Sequence, residues 1–111
     1  MNVYDTANKL AEELKKAPEY LEFKKVKENI NKDPEKKQKI EEFEKIRYEA
    51  QVLAIQKGEQ DSEKIQKLQE LYKMLLENPE MKEYFDLEVR FNVLLADVNK
   101  IIGEAVKDVL Q

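Results

Sequence analysis

The sequence predicts an all-α protein, an antiparallel bundle of about five helices with a long helix at its C-terminal end. Three observations carry this. Tyr84, Glu88, Phe91, Leu95, Val98, Ile102, Ala105 and Val109 alternate four and three residues apart, the spacing of a helix that lays one continuous seam against partners. Only two glycines and three prolines occur in 111 residues, and the 41% hydrophobic residues recur at helical spacing, which favours long helices over sheet or disorder. The prolines, finally, stand where helices start. Asp33-Pro34-Glu35 and Asn78-Pro79-Glu80 each supply a capping side chain, a residue of fixed φ and an acid for the positive helix end.

Taken in order, the first helix is expected from about Val3 to Lys16, with Val3, Ala7, Leu10, Ala11 and Leu14 on one stripe. Ala17-Pro18-Glu19 is a weaker start signal without a capping side chain. It opens a second helix that runs to about Asn31 and buries Tyr20, Phe23, Val26 or Lys27, and Ile30. A third helix spans Pro34 to Lys57, where Phe43, Ile46, Ala50 and Leu53 keep the four–three rhythm, with Ile40, Arg47 and Ala54 beside it. Gly58 suits the left-handed position after a helix end. A short polar loop to Ser62 then favours an antiparallel return. Asp61 or Ser62 caps the fourth helix, in which Ile65, Leu68, Leu71, Tyr72, Leu75 and Leu76 face inward. Asn78-Pro79 starts the last. Met74 and Met81 are expected to pad gaps near the corner between the last two helices.

Length makes the last helix informative. At ~1.5 Å per residue, Pro79 to Leu110 would reach on the order of 48 Å. A compact domain of this size has a radius of gyration of about 13 Å, hence a diameter of roughly 34 Å. One protomer therefore cannot wrap the whole seam. Either the helix breaks, with Gly103 the natural place, or a second chain covers the surplus. The second alternative is preferred, so the expected state is a homodimer with Tyr84, Phe91, Leu95, Val98, Ile102, Ala105 and Val109 as its seam.

Composition excludes much chemistry. Neither cysteine nor histidine is present, so disulfides, thiolate metal sites, cysteine nucleophiles and histidine acid–base catalysis are all impossible. Ser62 is the only serine and Thr6 the only threonine, and neither has a histidine base. Gly58 and Gly103 stand too far apart for a phosphate-cradling loop. The acids at Glu12, Glu13, Glu41, Glu42, Glu44 and Glu49 alternate with lysines as in surface salt-bridge ladders, not as an inward metal cluster. No metal, cofactor or catalytic residue is expected. No apolar run reaches the roughly 20 residues of a membrane span, and residues 1–16 do not read as a signal peptide. A single cytoplasmic domain over residues 1–111 is the plain expectation.

Two further groups of residues stand out. Glu88 places a carboxylate inside the seam, and Arg47 lies beside the third-helix stripe as one of only two arginines. A buried charge needs a partner, so Glu88 and Arg47 are candidate buried charges, with Glu88 in a structural ion pair or a tyrosine hydrogen bond, or serving as a functional carboxylate. The plainer reading puts Glu88 at the wet edge of the seam. Residues 24–39 hold seven lysines against three acids, and Lys24, Lys25, Lys27, Lys36 and Lys37 form a candidate basic patch. Such a run is usually a solvated face. Weak RNA binding is the alternative, although the stretch lacks the arginine and aromatic interleaving that reads bases. The net charge of −4 also disfavours a general nucleic-acid binder.

With these landmarks placed, the chain resembles the YlbF/YmcA family of small bacterial helical proteins, and within it the largely uncharacterised YheA-like branch. The resemblance rests on the early Ala-Asn-Lys-Leu-Ala-Glu-Glu-Leu helix, Glu19-Tyr20 with Phe23, and Asp33-Pro34-Glu35 with Phe43. It continues through Gln56-Lys57-Gly58 and Asn78-Pro79 to Tyr84, Glu88 and Phe91. It implies an all-α fold, self-association or pairing with related subunits, and no enzymatic activity. Some members act as accessory factors in competence, sporulation and biofilm development by assisting an RNA-processing ribonuclease. Others carry C-terminal cysteines linked to an iron–sulfur cluster, which cannot transfer to a chain without cysteine. The combined expectation is a helical adaptor that works through protein–protein contact with itself, related subunits or another cytoplasmic protein.

Overall fold

The computed structural model describes residues 2–58 and 62–110, apart from the side chain of Lys57. Five helices make up these residues: α1 (Val3–Lys16), α2 (Pro18–Asn31), α3 (Pro34–Lys57), α4 (Ser62–Leu76) and α5 (Pro79–Leu110). The fold class is all-α, as expected, and the helix limits follow the local start and stop signals.

Those signals act through specific hydrogen bonds. The Asp33 carboxylate Oδ1 accepts from the backbone N–H of Glu35 at 3.1 Å and of Lys36 at 3.4 Å. The Asn78 Oδ1 does the same for Glu80 at 2.9 Å and Met81 at 3.3 Å. Each therefore satisfies donors that the first turn leaves without a carbonyl. Asn2 caps α1 likewise, accepting from the Asp5 N–H at 2.8 Å. At Ala17 no side chain can cap, and its extended backbone alone separates α1 from α2. Gly58 closes α3 with φ +64°, a conformation that costs a side-chain-bearing residue about 1–2 kcal/mol. Asp61, one of the two proposed caps for α4, lies outside the described residues. Ser62 is already the first residue of α4.

The chain divides into two compact units. The first contains residues 1–26 and 84–111. Its centre is a cluster of rings: Phe23 lies 5.4 Å from Tyr84 and 6.0 Å from Phe91, and Tyr20 lies 5.8 Å from Phe91. Residues 20 and 23 of α2 thus meet 91 and 84 of α5, an antiparallel pairing. Tyr84 and Phe85 pack edge to face at 5.2 Å, the arrangement that ring quadrupoles prefer. Val26, Tyr84, Phe85 and Leu87 are buried here.

The second unit contains residues 27–83. Phe43 stacks on Tyr72 at 5.7 Å, and Glu49 pairs with Lys64 at 2.7 Å. Residues later in α3 therefore meet residues earlier in α4, which makes the two helices antiparallel. The pattern extends to the start of α5, where Glu80 accepts from Lys36 Nζ at 3.3 Å. Ile30, Ile40, Phe43, Ile46, Leu75 and Met81 form the buried core. Val26 and not Lys27 takes the inward position left open in α2.

Several expected core positions are not buried. No residue of α1 is buried, and Val3 and Tyr4 are among the most exposed large apolar side chains. Ala54 is exposed and Leu53 half-buried. Tyr72 keeps one edge in solvent, and Met74, expected to fill a gap, is exposed while Met81 fills it. Both misplacements have one cause. Tyr72 and Met74 are apolar in type, but the turn of α4 that buries Leu75 directs them to the rim.

Candidate protein interface

α5 runs unbroken through Gly103, so the first of the two alternatives for its length, a break, does not occur. From Tyr84 to Val98 its inner face is covered: Tyr84, Phe85 and Leu87 are buried, and Phe91, Leu94, Leu95 and Val98 are half-buried. From Ile101 onward every described residue is exposed. Ile101 is 70% exposed, Ile102 53%, Val109 77% and Leu110 76%, with Val106 also exposed. These residues continue the face that forms the core further up the helix. They present on the order of 600 Å² of apolar surface, the upper end of what a soluble monomer usually shows in one patch.

The residues named for the seam therefore divide. Tyr84 is 1% exposed and is committed to Phe23 and Phe85 inside its own chain. It cannot also face a second copy without moving. Phe91, Leu95 and Val98 are half-buried, with Phe91 held by Tyr20 and Phe23. Ile102, Ala105 and Val109 are exposed.

Neither candidate buried charge is buried. Glu88 and Arg47 are both half-buried, and no charged side chain is buried among the described residues. Glu88 belongs to the first unit and Arg47 to the second. The Arg47 guanidinium lies over the Phe43 ring, 5.2 Å from its centroid. There it gains cation–π attraction.

The basic stretch also divides. Lys24 and Lys25 are exposed in the first unit, and Lys27, Lys36 and Lys37 belong to the second. Lys36 is paired with Glu80, which offsets its charge toward an outside anion. It lines a cleft of about 530 Å³ with Asp33, Glu35, Lys39, Glu42 and Met81. Three acids and two lysines mix on that rim, which holds no hydroxyl or thiol nucleophile. Among the described residues, no group of three or more acids is close enough to hold a metal ion. No described helix is long and apolar enough to cross a membrane.

One surface escaped the reading of the sequence. Tyr48 and Ile55 are exposed and Val52 half-buried, and their four–three spacing puts them on the side of α3 opposite Phe43 and Ile46. The signal was present: α3 has apolar residues on two faces, and only one can meet α4. A clear electrostatic shift lies nearby. A hydrogen bond from Lys64, reinforced by its charge, holds the Glu49 carboxyl below its ordinary pKa.

Comparison with known proteins finds one family. The family model described as control of competence regulator ComK, YlbF/YmcA, matches residues 3–107. A UPF0342 protein of Caldicellulosiruptor saccharolyticus is 41% identical over 105 residues, covering 95% of this chain and 88% of its own length. One from Symbiobacterium thermophilum is 38% identical over 104 residues, 94% of this chain and 93% of its own. A third, from Desulfitobacterium hafniense, is 36% identical over 110 residues, 99% and 89% respectively.

Proposed function

We propose that this chain, which belongs to the YlbF/YmcA family, is a non-enzymatic cytoplasmic regulator that acts as a homodimeric helical adaptor. The family description, control of competence regulator ComK, supports a role in bacterial developmental control. The observation that carries the adaptor reading is the exposed apolar end of α5. Ten residues of helix, 101–110, keep five large apolar side chains in water, at a cost that covering them would remove. Burial is worth about 25 cal/mol per Å² of apolar surface, so covering this face offsets part of the free energy that association costs. The absence of histidine and cysteine from the sequence leaves little acid–base or nucleophilic chemistry and supports a role through contact alone. The regulated step, whether in transcriptional control or in RNA turnover, would then be set by which proteins the assembled helices display themselves to.

Sedimentation equilibrium of the full chain tests the reading. The wild type should sediment as a dimer at micromolar concentration, and Ile102→Glu, at a site already half exposed in the single chain, should sediment as a folded monomer. A wild-type monomer across that range would overturn the proposal.

A further inference from the structure

We infer that the second copy covers this face with α1 as well as α5, so that the dimer is closed by a four-helix layer built from two α1 and two α5 helices. This rests on the homodimer reading and specifies it. The width of the α5 face is the first ground. With Leu95, Ile102 and Val109 at position a and Val98 and Ala105 at d, a two-stranded coiled coil would need charged residues at e and g. Those positions here hold Asn99, Ile101, Val106 and Asp108, three of them uncharged. The remaining charges, Asp97, Lys100, Glu104 and Lys107, fall at c and f on the outer side, where Glu104 and Lys107 pair with each other at 3.2 Å. A face that is uncharged at a, d, e and one of the two g positions is wider than one neighbouring helix can cover. It is the pattern of a bundle helix with two neighbours.

The second ground is that α1 has a matching unsatisfied face in the same unit. Val3, Ala7, Leu10 and Leu14 repeat the a/d spacing, and Tyr4 and Ala11 widen it on the e side. None of the six is buried, and Val3, Tyr4, Ala7 and Ala11 are fully on the exposed side of the helix. Neither face carries a net charge that would select an acidic or a basic partner, which favours a like surface. Adding Val3 and Tyr4 to the α5 patch brings the exposed apolar area to roughly 900 Å², close to what one partner contributes to a standard interface. Helix α1 is then held more firmly by association, since its own chain leaves Leu10 and Leu14 only half-buried and the rest of the stripe exposed.

Three variants of the full chain test the inference. Ala11→Glu replaces an exposed alanine by another good helix former, so the single chain should keep its helicity by circular dichroism. The dimer dissociation constant should rise at least 100-fold. Lys9→Glu makes a charge change on the opposite side of the same helix and should move it less than threefold. Tyr4→Trp adds the only tryptophan, and its emission should shift to the blue as concentration rises through the dissociation constant. If the wild type is dimeric and Ile102→Glu dissociates it while Ala11→Glu does not, the four-helix inference fails and the homodimer stands. A dimer in which the Tyr4→Trp emission stays that of solvated indole at every concentration also overturns the inference. A wild-type monomer would overturn the homodimer reading beneath it.

Discussion

Tyr84→Ala separates what α5 does inside one chain from what it does between copies. Tyr84 is 1% exposed, and its ring lies 5.4 Å from Phe23 and 5.2 Å from Phe85. Truncating a buried aromatic to alanine costs about 3–5 kcal/mol. Loss of two ring pairs, each worth about 0.5–1.5 kcal/mol beyond area, places this site in the upper half of that range. The whole fold of such a domain is stable by only about 5–15 kcal/mol, so the variant should remain folded but with little to spare. With a urea slope of about 2 kcal/mol per molar, the unfolding midpoint should fall by roughly 2 M. The assay is urea unfolding followed by far-ultraviolet circular dichroism, at a concentration low enough to separate any copies. Under the same conditions Ile102→Ala, on the same helix but half in solvent, should shift the midpoint by less than about 0.5 M. A Tyr84→Ala midpoint within about 0.5 M of wild type, at unchanged slope, would refute the assignment of Tyr84 to the core of its own chain.

Further expectations concern the helix ends and one ion pair. Gly58→Ala meets no atom within 4 Å of the new Cβ, so its cost is that of the backbone alone. About 1 kcal/mol is expected, seen as a fall in Tm of roughly 3–6 °C in a calorimetric scan. Asp33→Ala and Asn78→Ala each remove an oxygen that accepts from two backbone donors. Each should cost about 1 kcal/mol in denaturant unfolding, with Asp33→Asn and Asn78→Asp recovering most of it. Glu49 has its carboxyl pKa lowered by Lys64, so its contribution is present above its ordinary pKa and is lost as pH falls through the lowered folded value. Glu49→Gln should therefore be less stable than wild type at neutral pH. Thermal melts of the two should converge on acidification, and a gap that widened with falling pH would contradict the sign.

The chain itself determined where helices begin and end, because those instructions are local. Asp33, Asn78 and the prolines beside them satisfy or remove backbone donors within one turn, and Gly58 alone tolerates the left-handed turn that stops α3. The same locality explains why the long seam of α5 and the doubtful burial of Glu88 were legible from spacing. Which apolar residues are covered was decided only by the tertiary structure. Val3 and Ile102 have the same rhythm as Ile30 and Tyr84, yet the first pair is in solvent and the second is sealed. Periodicity records that a helix has a face, whereas burial depends on whether another helix reaches it. The rings of Tyr20 and Phe23 on α2 meet α5 at Tyr84 and Phe91, whereas from Ile101 onward every described residue of α5 is exposed. The outer stripe of Tyr48, Val52 and Ile55 became visible for the same reason: α4 can occupy only one side of α3.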